Sequence, residues 1–347
     1  FMKLYIQITF ILIVFFHTNT LFSENNLFSV NNIELEKKNK ISNNSLADQA
    51  IKKGFNQLIN RILLTRDKEN FSDLNLTRIK QLVTYYRVST VSEETNKELL
   101  NFSITFDKDK IHQLFYQRGI SYSEILDKEL YILPILIKNN EVFIFNNNFF
   151  YKNWTEFYKE NLIEFIIPLE NIEIIQKVNK NKDNLINLEI SNLLREYSKK
   201  NLALVFIEDN KNMKKVYIKS KIQGKNISKS LNFKKQSLND KEFNIKIIIE
   251  TKKELINLIK SKNLIDIRTP SFLNAKLEIN KTNSLIELNS RIKNIDSVEK
   301  IYIQEFNKNF VNLKIKYLGK LEKIINQLKN EKINLQLLDD TWIIKTL

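Results

Sequence analysis

Few side chains in this sequence can carry chemistry. Histidine occurs only at His17 and His112, and cysteine is absent. Thiolate zinc sites, iron–sulfur clusters, disulfide frameworks and cysteine nucleophiles are thereby excluded. A Ser-His-Asp triad would have to use His112, because His17 lies in an apolar leader. Asp107-Lys108-Asp109 precedes that histidine, and Asp109 and His112 are spaced to share one helix face. A metal site needs three or four ligands with outer-shell support. No further cluster joins these two, so Asp107 reads as a helix N-cap with an acid in the first turn. Asp339-Asp340, ahead of Trp342, is either a carboxylate pair for acid–base work or a hairpin turn. The turn explains it better. Phe149, Phe150, Tyr151 and Trp154 form an aromatic cluster. It is either a partner surface or the anchor of a loop on a core. Four glycines leave no room for G-x-G-x-x-G or a P-loop. No catalytic residue, metal ligand or cofactor is assigned.

The charge has two readings. The chain has 347 residues, a net charge of +15 and a pI near 9.5. Such a balance suits an anionic lipid, lipopolysaccharide or nucleic acid as partner. Only eight of the 55 basic residues are Arg, and Asn is as common as Lys, at 47 each. Lys, Asn and Ile are what AT-rich codons supply, whereas phosphate and base recognition favours the Arg fork. The densest run, Lys211 to Lys235, alternates in Lys215-Val216-Tyr217-Ile218-Lys219 and reads as a solvated strand face.

The N-terminus reads as an address. Lys3 precedes the 13-residue stretch Leu4 to Phe16, broken only by Gln7 and Thr9. A membrane-spanning helix needs about 20 residues. The stretch is shorter and runs straight into polar residues, which is the form of a signal peptide over 1–23. Ser23 suits the cleavage site and Leu21 does not, so an uncleaved inner-membrane anchor is the alternative. The expected location is the periplasm or cell envelope.

The elements behind the leader sort into three regions of a multi-domain α+β and α/β chain. Residues 24–122 give a strand at Leu27–Glu36, a helix from Ser45 to about Leu64, and a short helix suggested by Ile79, Leu82 and Val83. A strand pair at Tyr86–Ser92 and Leu100–Phe106 follows. A helix from Asp107 then ends at Gly119, where a left-handed residue is expected. Residues 127–243 give short apolar strands at Tyr131–Ile137, Phe165–Leu169 and Leu202–Ile207, the signature of a small parallel sheet. Helices are expected from Asn153, with a capping box to Glu156, and over Ile186–Tyr197. A hairpin turns at Gly224. Residues 244–347 open with a strand at Ile245–Ile249 and a helix from Thr251. They close with the order βαββαβ, a ferredoxin-like module, plus a last strand at Trp342–Thr346. On its strand 310–317, Asn312, Lys314 and Lys316 point to the open face. The absence of aromatic rings among them argues against an RNA-recognition surface.

The stretch Ser45 to Trp154 resembles a bacterial envelope family, domain of unknown function 2066. The residues that carry the resemblance are Leu63-Leu64-Thr65, Leu82-Val83-x-Tyr85-Tyr86-Arg87-Val88 and Phe102-x-Ile104-x-Phe106-Asp107. Gly119-Ile120, Tyr131-Ile132-Leu133-Pro134-Ile135-Leu136 and Asn153-Trp154 continue it, and Ile166-Ile167-Pro168-Leu169 is similar too. Ser121-Tyr122-Ser123 departs from the pattern, which has a Trp nearby. The resemblance implies an exported protein of Gram-negative bacteria and carries no catalytic residue. The expectation is a non-enzymatic binding or assembly scaffold with protein partners in the envelope, and with membrane association through 4–16 if the leader stays. The alternatives are a basic binder of anionic polymers and a carboxylate-dependent hydrolase.

Overall fold

A computed structural model describes residues 27–37, 42–91, 99–125, 127–158, 162–210, 213–279, 284–295, 297–338 and 341–346. The leader 1–23 and Asp339-Asp340 lie outside them. The described residues divide into two units. One holds the chain up to Leu58, Leu74–Gln117 and the part from Arg268 on; the other holds Ile59–Asp73 and Arg118–Ile267.

The first unit begins with an antiparallel sheet, β1 (Ser29–Glu36), β2 (Val83–Val91) and β3 (Leu99–Phe106), in the order β1-β3-β2. Helix α1 (Asn43–Ile62) lays Leu46, Ala50, Phe55 and Leu58 against it. Ser42 rather than Ser45 opens this helix: its Oγ accepts the Ser45 N–H at 3.2 Å. Gly54 lets the helix sit close. A Cβ there would stand 2.9 Å from the Cδ1 atoms of both Ile33 and Ile104. Helix α2 (Leu76–Gln81) is capped by Asn75, and α3 (Lys108–Arg118) buries Ile111 and Phe115. Gly119 follows α3 at φ +65°, as expected.

In the second unit β4 (Tyr122–Ser123) pairs with β11 (Leu264–Ile265). Strand β5 (Glu129–Lys138) runs parallel to β7 (Glu164–Ile166) and β8 (Asn201–Asn210). It turns through Asn139 and Asn140, both at positive φ, into β6 (Glu141–Phe143). Strands β9 (Met213–Ile222) and β10 (Lys225–Lys234) extend the sheet antiparallel, turning at Gly224. Residues 201–207 of β8 are buried without alternation, because apolar clusters cover both faces of the sheet. Pro134 fits inside β5 because β7 pairs with residues 129–131 and β6 with 136–138, leaving a gap opposite the ring. Asn148 fills that gap: its Nδ2 donates to Pro134 O at 2.9 Å.

Three expectations for this unit are corrected. Helix α4 is Phe149–Asn153, capped by Asn148 instead of opening at Asn153. The helix expected over Ile186–Tyr197 is broken into 3₁₀ turns around α6 (Ile190–Leu193), which follows α5 (Ile172–Lys180). The strand expected at Ile245–Ile249 and the helix expected from Thr251 are one helix, α7 (Asp240–Lys262). The Asn239–Glu242 capping box opens it upstream, and its stripe Phe243, Ile247, Thr251, Leu255 and Ile259 is buried. Burial on a helical period outweighs the β preference of the isoleucine run.

The first unit ends in a C-terminal ferredoxin-like module: β12 (Ser271–Glu278), α8 (Ser284–Ile292), β13 (Val298–Phe306), β14 (Phe310–Tyr317), α9 (Leu321–Asn330) and β15 (Ile333–Leu338). Strand β16 (Thr341–Thr346) pairs back on β15, as expected. It also runs parallel to β12, so the sheet order is β13-β14-β12-β16-β15. The added strand thus takes the place beside β12 that the fourth strand of the bare module would have.

Candidate functional site

Two surfaces of the first unit present groups that a partner can use. One is the edge strand β2. Its neighbour β3 buries Phe102, Ile104 and Phe106, yet residues 84–90 of β2 are exposed on both faces. Tyr86 lies opposite Ile104 and Val88 opposite Phe102, on the core side, but they stay 45% and 47% exposed. On the other side the Arg87 guanidinium lies 5.5 Å from the Tyr85 ring centre. Among the described residues β2 pairs only with β3, so its outer backbone groups line an open edge.

The other surface is the open face of the ferredoxin-like sheet. Strand alternation sends Leu273, Ala275 and Leu277 of β12, and Val311, Leu313 and Ile315 of β14, into the helix-side core. Their neighbours face out. Register builds rows across the strands: Phe272, Lys316 and Lys300; Asn274, Lys314 and Tyr302; Lys276, Asn312 and Glu305; Glu278 and Phe310. Phe272 is 49% and Tyr302 40% exposed. Each ring has an ammonium nearby. Lys276 Nζ is 4.2 Å from the Phe310 centre, Lys314 Nζ 4.5 Å from Phe272, and Lys300 Nζ 5.2 Å from Tyr302. Glu299 bonds Lys316 at 2.7 Å, and the hydrogen bond raises the Lys316 pKa. Asn312 Nδ2 donates to Glu305 at 2.8 Å. The expectation that strand 310–317 shows no ring on the open face is corrected: Phe310, its first residue, has the parity of Asn312, and Phe272 and Tyr302 join it from neighbouring strands.

The residues singled out in the sequence take structural places. Asp107 Oδ1 accepts the N–H groups of Asp109 and Lys110 at 3.0 and 3.1 Å, as a helix cap does. His112 is buried edge-on to Phe28, with centres 5.4 Å apart. Burial, with the Lys108 ammonium adding to it, pushes its pKa down to about 4. Among the described residues no group of three His, Asp or Glu is arranged to hold a metal. The pKa values of Asp73 and Asp240 are both lowered, by hydrogen bonds from Arg118 and Lys235. A general acid needs the opposite displacement.

The aromatic cluster is a loop anchor. Trp154 is 0% exposed, Phe150 is buried with it, and Phe149 packs partly buried against the same core. Tyr151 donates its hydroxyl to Pro168 O at 3.0 Å. Phe150 and Trp154 therefore offer no surface to a partner. Asn148 pins the loop, donating to the carbonyls of Pro134, Phe143 and Ile144 and accepting from the N–H groups of Phe150 and Tyr151.

The lysine-rich run is also partly structural. Lys214 is buried against Asp209. Lys219 Nζ donates to the carbonyls of Ile186 and Leu188, both at 2.9 Å, and Lys221 to Ser191 Oγ at 2.9 Å. Lys211 lies outside the described residues. On the helix side of the ferredoxin-like sheet, Leu285, Ile286, Ile301 and Ile303 line an apolar groove of about 260 Å³.

No protein-family model matches the chain, and no curated protein matches it. A solved structure titled "Crystal structure of uncharacterized protein" is similar over 40% of this chain and 94% of its own, at 10% identity and a TM-score of 0.18. A score that low carries no argument about fold or function.

Proposed function

We propose that the protein is an exported, non-enzymatic scaffold of the cell envelope that binds other proteins by adding their extended segments to its N-terminal sheet. The exposed β2 edge carries this reading. An edge strand of nine residues is ordinarily blunted by charge, proline or a covering element. Residues 84–90 hold one charge, Arg87, and no proline, while Tyr85, Tyr86 and Val88 offer apolar contact on both faces. Strand addition uses that combination: main-chain hydrogen bonds supply affinity and alternate side chains supply choice. The leader-like residues 1–23 and the resemblance to an envelope family support placement outside the cytoplasmic membrane.

The test places a photo-crosslinking side chain at position 86 in cells, with a control at Lys52 on the exposed face of α1. The expected result is a discrete protein adduct from position 86 that Val88→Lys abolishes without changing the Tm. Adducts no stronger than at the control contradict the reading.

A further inference from the structure

We propose that the open face of the ferredoxin-like sheet binds an acidic polysaccharide, a sugar chain that carries carboxylate groups on some of its units. This goes beyond the scaffold reading and uses no residue of β2. The first ground is the pairing of rings with ammonium groups. Phe272, Tyr302 and Phe310 each stand on the open face of the sheet with a lysine within 5.2 Å. The ring of a sugar has a face of C–H bonds, which packs on an aromatic side chain, and a rim of hydroxyls and acidic substituents. The rim falls where the lysines are. The second ground is hydrogen bonding of both senses. Asn274 and Asn312 donate and accept, while Glu278 and Glu305 accept only. Hydroxyl groups need both kinds of partner.

Charge selects among polymers. Lys276, Lys300, Lys314 and the exposed Lys345 of β16 stand against Glu278 and Glu305, while Lys316 and Glu299 bond each other. The surplus is positive but modest. It suits a chain with sparse negative charge. A phosphodiester strand has a charge on every unit and would cross those carboxylates. Ring spacing points the same way. Phe272 and Tyr302 are two strands and two residues apart, which is about 12 Å, and Phe272 and Phe310 about 20 Å, from ordinary strand dimensions. Stacking of successive bases needs aromatic rings at neighbouring positions.

The purified full chain is titrated calorimetrically with a hyaluronan decasaccharide, with neutral chitohexaose and with a twenty-residue oligothymidylate. The account expects hyaluronan to bind tightest and to weaken as salt rises. Phe272→Ala and Tyr302→Ala, both at half-exposed positions, each weaken it roughly tenfold, with an unchanged Tm. Lys276→Gln with Lys314→Gln weakens it and flattens the salt dependence. Absence of hyaluronan binding at low salt overturns the proposal. So do tighter binding of the oligothymidylate, equal binding of chitohexaose, or indifference to all four substitutions. None of these outcomes bears on the β2 crosslinking test, so the two readings fail separately.

Discussion

At the scale of single residues, several of the polar side chains serve the backbone. Asp107 holds the first turn of α3, Asn148 collects three carbonyls and two N–H groups, and Tyr151 reaches Pro168. Asp107 was legible because an acid one residue before a periodic run is a cap signal. Asn148 was not: it ends a run of three asparagines, and only the fold decides which of them is buried. His112 has a consequence in pH. Its folded pKa lies near 4, below the ordinary 6.5, so the folded state holds it neutral. The unfolded chain binds the proton first. Stability is therefore complete above about pH 6.5 and is lost as pH falls from there toward 4, by at most about 3 kcal/mol. Urea midpoints measured at pH 7 and pH 4.5 should fall further for the wild type than for His112→Phe. Equal losses would show that this imidazole does not contribute.

At the scale of elements, the βαββαβ order of the C-terminal module followed from periodicity on one buried face, and the parallel pairing of β5 with β8 from apolar runs buried on both faces. Helix α7 did not, because its β-branched run has strand propensity and only the distant core gives it a helical face. The insertion of β16 beside β12 was also beyond local pattern, since pairing order depends on tertiary contact. Helix α7 also closes the end of α1, whose residues from Ile59 on belong to the second unit. The buried Lys260 donates to Asn60 O at 2.5 Å and Leu63 O at 3.0 Å, at the C-terminal end of α1. A cation there satisfies carbonyls that the helix leaves open. Lys260→Met removes the donors and leaves buried acceptors, a loss of about 2–4 kcal/mol. Chemical denaturation measures it, and an unchanged midpoint would refute the capping role.

At the scale of the whole molecule, a net charge of +15 says little until the lysines are placed. The densest run in sequence is partly tied into the second unit, where Lys214, Lys219 and Lys221 hold neighbouring segments. The open sheet of the C-terminal module has fewer lysines, but each of three stands beside a ring. Composition could not distinguish those roles; register does. Export is the claim on which the account depends, and protease accessibility in spheroplasts tests it most directly. With the outer membrane opened and the inner membrane intact, the account predicts that added protease digests the protein, whether or not residues 1–23 are removed. A chain that survives until the inner membrane is lysed would contradict it.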